Sequence, residues 1–129
     1  MEDLVEVRKT RSTLTRFKNH SSPLIKMEYP RGQFIVFLPT ANLLEVKDGS
    51  AIMFAFSKKE NCSFVYSEEP ESDSYYLSAS RSYFRFTNKE LMKYFIDFFG
   101  IEVKKAAYFE IDSVKNQKGM FKLLPLKTL

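Results

Sequence analysis

The stretch that decides the fold is Thr87-Asn88-Lys89-Glu90-Leu91-Met92-Lys93-Tyr94-Phe95-Ile96-Asp97-Phe98-Phe99-Gly100. Its apolar side chains recur at the three- and four-residue spacing of a helix with one wide buried face. Thr87 and Glu90 have the spacing of a capping box, which predicts Thr87 as the N-cap. Gly100 stands where a left-handed C-cap residue is expected. The pattern predicts a main helix over residues 88–99, packed on a sheet.

Short apolar segments separated by turn residues surround this helix. Pro30-Arg31-Gly32 and Asp48-Gly49 have the composition of tight turns, because proline presets φ and glycine accepts a positive φ. A short helical turn is expected near residues 40–46, where Thr40 precedes three apolar side chains. The predicted strands are 24–29, 33–38, 51–56, 62–66, 75–79, 83–86, 106–111 and 120–124.

Because strands follow one another without alternating with helices, the predicted fold class is α+β. We expect an antiparallel-rich sheet of about six to eight short strands with one helix packed on it. The length of 129 residues suits one domain, which we place at residues 23–129. Residues 1–22 are predicted to form a flexible or weakly ordered basic arm. The acidic segment 67–74 is predicted to be an exposed, mobile loop.

Residues that carry catalytic chemistry are scarce in this chain. His20 is the only histidine and Cys62 the only cysteine, whereas a triad or a zinc site needs more partners. No glycine-rich phosphate loop is present. Glu110 and Asp112 alternate along a strand, so they are expected on a solvent-facing side. We therefore predict a protein that is not an enzyme and binds no metal and no small-molecule cofactor.

The single cysteine excludes an internal disulfide, and the chain has no apolar stretch near the ~20 residues of a membrane span. No signal peptide is visible at the start of the sequence, so a cytoplasmic location away from membranes is expected. Cys62 lies in a strand-like segment with no histidine near it in sequence. It is predicted to be a buried or half-buried structural thiol.

Basic and aromatic residues are placed as in nucleic-acid-binding proteins. The net charge is only +4, but residues 8–18 hold five cations and no acid. Arg81 precedes Tyr83-Phe84-Arg85-Phe86, and such mixtures bind single strands because rings stack on bases while cations follow phosphates. The predicted function is nucleic-acid binding with a preference for single strands, DNA or RNA. The predicted contact residues, with Tyr83 as the main stacking ring, are Arg8, Lys9, Arg11, Arg16, Lys18, Arg81, Tyr83 and Arg85.

Self-association is the alternative, as a homo-oligomeric assembly or protein-interaction module without a nucleic-acid role. Phe98, Phe99 and Ile101 would extend the apolar stripe of the helix to a second copy, whereas Pro125 and Lys127 are typical of a guarded sheet edge. The segment from Leu43 to Phe56 places an Asp-Gly turn between a helical turn and a strand. It resembles the small hairpin regulators of the AbrB type over about a dozen residues, and that resemblance implies dimers that bind duplex DNA.

Overall fold

A computed structural model of the protein describes residues 23–126. The antiparallel α+β class is confirmed. The elements in this part of the chain are β1 (Leu24–Glu28), β2 (Gln33–Phe37), α1 (Leu38–Leu44), β3 (Ala51–Ser57), β4 (Cys62–Glu68), β5 (Tyr75–Tyr76), β6 (Ser78–Ala79), β7 (Tyr83–Thr87), α2 (Lys89–Phe99), β8 (Ala106–Lys115) and β9 (Phe121–Pro125). The strands between residues 23 and 126 number nine, which exceeds the prediction because the segment 75–79 is split at Leu77.

The strands form one sheet in the order β5-β3-β4-β9-β8-β1-β2-β7-β6, and all neighbours are antiparallel. Its two edge strands belong to one short segment, because only Leu77 separates β5 from β6. The Leu77 amide donates to the Ser50 carbonyl at 2.9 Å, and its carbonyl accepts from the Gly49 amide at 2.8 Å. This segment draws the two ends of the sheet together, so the sheet is nearly barrel-shaped.

The last strand has a different place from the one predicted. β9 lies between β4 and β8, in the interior of the sheet. Pro125 ends β9 opposite Phe109, so the prediction that it guards a sheet edge is wrong. The prediction failed because strand order depends on long-range pairing, which the local sequence does not encode. Lys127, the other residue of that prediction, lies outside the described residues.

Aromatic rings fill the interior of the curled sheet. Phe95 of α2 is fully buried, and its ring lies 5.0 Å from that of Phe109, 5.5 Å from that of Phe54 and 5.7 Å from that of Phe34. Leu91 of the same helix is also buried in this core. The apolar stripe of the helix therefore packs on the sheet, as the sequence pattern predicted.

The two helices leave the sheet at opposite ends. α1 follows β2 and α2 follows β7, and these two strands are antiparallel neighbours. Ala41 and Leu44 of α1 are buried in the core, and the Thr40 hydroxyl donates to the Leu24 carbonyl at 2.6 Å. Neither helix of residues 23–126 is long and apolar enough to cross a membrane.

The boundaries of α2 differ from the prediction at one end. The N-cap is Asn88, whose side chain accepts from the Leu91 amide at 2.8 Å. Thr87 is instead the last residue of β7 and pairs with Gln33, so the predicted capping box is wrong. Gly100 is confirmed as the C-cap, with φ of 61° and its amide bonded to the Ile96 carbonyl.

The chain repeats one arrangement twice. β1-β2-α1-β3-β4 and β6-β7-α2-β8-β9 are both two strands, a helix and two strands. Equivalent strands pair with each other at β2–β7 and at β4–β9. The β1–β8 pairing also has a counterpart, since β5, which is nearly continuous with β6, pairs with β3. The strand order and pairing of the two halves therefore have a pseudo-two-fold relation, in which β2 is equivalent to β7 and β4 to β9.

Candidate nucleic-acid interface

Side chains of β7 alternate between the core and the outer face of the sheet. Phe86 points inward, and its ring stacks on Phe34 with centroids 4.7 Å apart. Arg85 points outward, is exposed, and lies between Ile35 on β2 and Ser78 on β6. Within residues 23–126 it forms no ion pair. The basic-aromatic alternation of the sequence thus places on the outer face a cation with no ion-pair partner in the described part of the chain.

Arg81 lies in the tight turn between β6 and β7. The Ser80 amide donates to the Tyr83 carbonyl at 2.8 Å, which leaves Arg81 and Ser82 at the tip. Arg81 is exposed and has no ion-pair partner in the described part of the chain. Two of the predicted contact residues, Arg81 and Arg85, therefore lie on one strand and the turn before it.

Tyr83 occupies a more enclosed position than a stacking ring needs. Its side chain is half-buried against a small apolar cluster on the outer face, which is formed by Leu24, Ile35, Phe37 and Tyr108. Stacking on bases needs an accessible ring face. The ring of Tyr83 is therefore less accessible to a base than the alternation of the sequence predicted.

Two other tyrosines are more accessible. Tyr29, beside the β1–β2 turn, is 44% exposed, and Tyr76 of β5 is 45% exposed. The Tyr76 hydroxyl donates to the Glu71 carbonyl, which fixes the direction of the ring. Tyr29 and Tyr76 are thus more accessible to a base than the half-buried Tyr83.

Tyr75 and Phe84 face the core instead. The Tyr75 ring lies 5.2 Å from Phe86, and Phe84 packs against the core cluster. Burial raises the pKa of the Tyr75 hydroxyl, and the nearby carboxylates of Asp73 and Glu90 raise it further. Tyr75 is therefore a half-buried ring that packs against the core and is less accessible than Tyr76.

A cavity opens where the curled sheet fails to close. The β6–β7 ladder stops at Ser78 opposite Arg85, and Tyr75–Tyr76 turn away to pair with β3. The resulting cavity has a volume of about 390 Å³. Polar side chains dominate its lining, and none of the lining residues is acidic: Ser74, Tyr75, Tyr76, Ser78, Arg85, Phe86, Thr87 and Asn88. A cavity of this size and chemistry can receive one small polar or aromatic group beside Arg85.

A second cavity has the opposite charge. It has a volume of about 580 Å³ and lies beside the end of α1. Its lining includes Glu45, Asp48, Glu68 and Glu69, with Lys47 as the one cation among the lining residues. Carboxylates repel phosphates, so this cavity is not a candidate for a nucleic-acid backbone. No cluster of three or more potential metal ligands occurs in residues 23–126.

The acidic segment 67–74 is more ordered than predicted at its two ends. Ser67 and Glu68 belong to β4, and the Ser74 hydroxyl donates to the Glu68 carboxylate. The Glu71 amide donates to the Ser74 hydroxyl at 3.1 Å. The carboxylates predicted to face solvent at Glu110 and Asp112 are exposed, in agreement with the sequence pattern.

Cys62 is buried, as predicted. Burial raises the pKa of its thiol by disfavouring the thiolate, Lys122 opposes that effect, and Glu60 adds to it. A thiol held in its protonated form is a poor nucleophile. Nothing in its surroundings points to a reactive cysteine.

The remaining predicted residues divide into two groups. Arg8, Lys9, Arg11, Arg16 and Lys18 lie outside the described residues. The second group comprises the residues predicted to contact a second copy in a homo-oligomer. They are half-buried against the protein's own core: Phe98, Phe99 and Ile101. The Phe98 ring lies 5.1 Å from Phe56.

No protein-family model matches this chain, and neither a curated protein nor a solved structure matches it.

Proposed function

We propose that this protein is a non-catalytic nucleic-acid-binding protein that prefers single strands and binds them along the exposed outer side chains of β7 and the turn before it. The observation that carries the proposal is the pair Arg81 and Arg85. Both are exposed and lack an ion-pair partner in residues 23–126, and Arg85 lines a polar cavity beside the accessible Tyr76 ring.

The two arginines supply the electrostatic part of binding. A guanidinium that is not paired with a carboxylate keeps its donors available for phosphate oxygens, which it can bind bidentately. Neutralising phosphates releases condensed counterions, so affinity from such contacts falls as salt rises. Arg81 and Arg85 would thus position the sugar-phosphate backbone of the nucleic acid, and they would not select its base sequence.

The preference for single strands follows from the rings and the cavity. Tyr76 and Tyr29 offer exposed ring faces, and a base can stack on them only when it is free of its own neighbours. The cavity of about 390 Å³ beside Arg85 can admit an unpaired base, whereas a base inside a duplex cannot enter it. The five cations between residues 8 and 18 would add phosphate contacts from the N-terminal arm.

A fluorescence-anisotropy titration tests this proposal. Labelled single-stranded and double-stranded oligonucleotides would be titrated with the full chain at about 50 mM and about 200 mM salt. We expect tighter binding to the single strand and weaker binding at the higher salt. For the Arg81→Ala/Arg85→Ala variant, we expect the slope of log K against log salt to fall by about 1.4, which is about 0.7 for each lost contact.

Lys118→Ala is the matched control, because Lys118 is an exposed cation in the β8–β9 turn on the opposite side of the sheet. It removes a cation without touching the proposed face, so we expect almost unchanged binding. Absence of binding at the lower salt would refute the proposal. Binding that is unaffected by the double variant would remove the β7 face from it. Light scattering on the same samples measures the alternative, since stable oligomers without oligonucleotide binding would favour self-association.

A further inference from the structure

The pseudo-two-fold relation between the halves of the chain places two turns in equivalent positions. The turn 29–32 joins β1 to β2, and the turn 80–82 joins β6 to β7. Each turn precedes the strand that leads into a helix. Each also carries one exposed arginine, Arg31 in the first half and Arg81 in the second.

The central pair of strands fixes the distance between these turns. β2 and β7 are paired from Gln33 opposite Thr87 to Phe37 opposite Tyr83. Four residue steps in an extended strand cover about 14 Å. Each arginine lies two residues before its own strand, at opposite ends of the pair, so their Cα atoms are roughly 20–25 Å apart. Arg85 lies between them on the outer face.

The electrostatic setting of Arg31 leaves it available to a ligand. Its side chain is 75% exposed, and its single ion pair among residues 23–126 is to Glu28 at 3.6 Å. The Glu28 carboxylate is held more closely by Lys26, at 3.0 Å. An exposed ion pair of this kind contributes little, so a phosphate can replace it. Tyr29, two residues away, presents a ring that is 44% exposed.

We infer that Arg31 is a second phosphate-contacting residue, equivalent to Arg81, and that a bound strand runs from one turn to the other past the exposed Arg85 of β7. This inference rests on the proposed function and extends it to the first half of the chain.

Arg31→Ala in the full chain tests the inference by the same anisotropy titration, with a single-stranded oligonucleotide of about 12 nucleotides. We expect its affinity to fall by roughly three- to tenfold, to the same extent as that of Arg81→Ala, which is typical of one lost charge-assisted contact. The double variant Arg31→Ala/Arg81→Ala should show the product of the two losses, because the sites are too far apart to interact directly. Arg31→Lys, which keeps the charge, should recover part of the affinity.

Lys58→Ala is the matched control, since Lys58 is an exposed cation in the β3–β4 turn, away from β2 and β7. An affinity of Arg31→Ala equal to that of Lys58→Ala, together with weakened binding by Arg81→Ala, would overturn the inference and leave the proposed function standing. Absence of binding by the unmodified protein would overturn the proposed function itself. A circular-dichroism melting curve of each variant separates lost contacts from lost folding.

Discussion

At the scale of single residues, Gly32 connects the turn that carries Arg31 to the start of α2. Its φ is +76°, and a Cβ atom added there would lie 2.8 Å from the Lys89 Cα and 3.0 Å from the Lys89 nitrogen. The Asn88 amide donates to the Gly32 carbonyl at 2.9 Å. The turn at one end of the proposed interface is therefore fixed directly to the backbone of the helix.

Gly32→Ala and Gly49→Ala form a matched pair that tests this contact. Both glycines have a positive φ, so alanine at either site should cost about 1–2 kcal/mol. Gly49 has no atom within 4 Å of the added Cβ, whereas Gly32 has backbone that cannot move aside cheaply. We expect Gly32→Ala to lower the free energy of unfolding by a further ~1–3 kcal/mol in urea denaturation. Equal losses in the two variants would show that the contact is not rigid.

The sequence predicted a turn at residues 30–32 from proline and glycine alone, and the structure contains it. The sequence of the turn could not predict that a Cβ atom at position 32 has no room. That restriction comes from Lys89, which is more than 50 residues away along the chain and is brought there only by the fold.

At the scale of secondary-structure elements, the N-cap of α2 is the point at which the structure differs from the sequence prediction. Both Thr87 and Asn88 are residues that cap helices. The structure assigns the cap to Asn88, because the Thr87 backbone is held in the β2–β7 pairing. Local spacing predicted the helix correctly and placed its cap one residue too early, since it could not include the competing demand of the sheet.

Asn88→Ala and Thr87→Ala test this assignment. Asn88→Ala removes the acceptor of the Leu91 amide, so we expect a loss of about 1 kcal/mol in the free energy of unfolding. Thr87→Ala alters an exposed strand residue and should cost about 0.5 kcal/mol or less. Both values come from urea denaturation of otherwise identical chains. The reverse order of the two losses would restore Thr87 as the cap.

At the scale of the whole molecule, the sequence predicted which segments are strands but not how they are arranged. The eight predicted strands match observed strands or, at 75–79, a pair of them. The insertion of β9 between β4 and β8, the closure at Leu77 and the pseudo-two-fold relation depend on long-range pairing. The equivalence of the two halves is also hard to recognise in the sequence, because their helices differ in length: α1 has 7 residues and α2 has 11.

The sequence also predicted only part of the candidate interface. Alternation along 83–86 predicted that Arg85 and Tyr83 share a face, and they do. The sequence could not show that Tyr83 is half-covered by an apolar cluster, while Tyr29 and Tyr76 are more open. Arg31 stands beside Tyr29 as a basic-aromatic pair in the sequence, but its equivalence to Arg81 appears only in the topology. The role of the cations at residues 8–18 stays a prediction.

An NMR titration of the ¹⁵N-labelled protein with an unlabelled single-stranded oligonucleotide tests the binding face most directly. We expect amide shifts to concentrate in the two turns and in β7, at Arg31, Gly32, Arg81 and Arg85. The turns 58–61 and 116–119, on the opposite side of the sheet, should keep their amide positions. The absence of any shift, or shifts confined to those two opposite turns, would contradict nucleic-acid binding along β7 and the two turns.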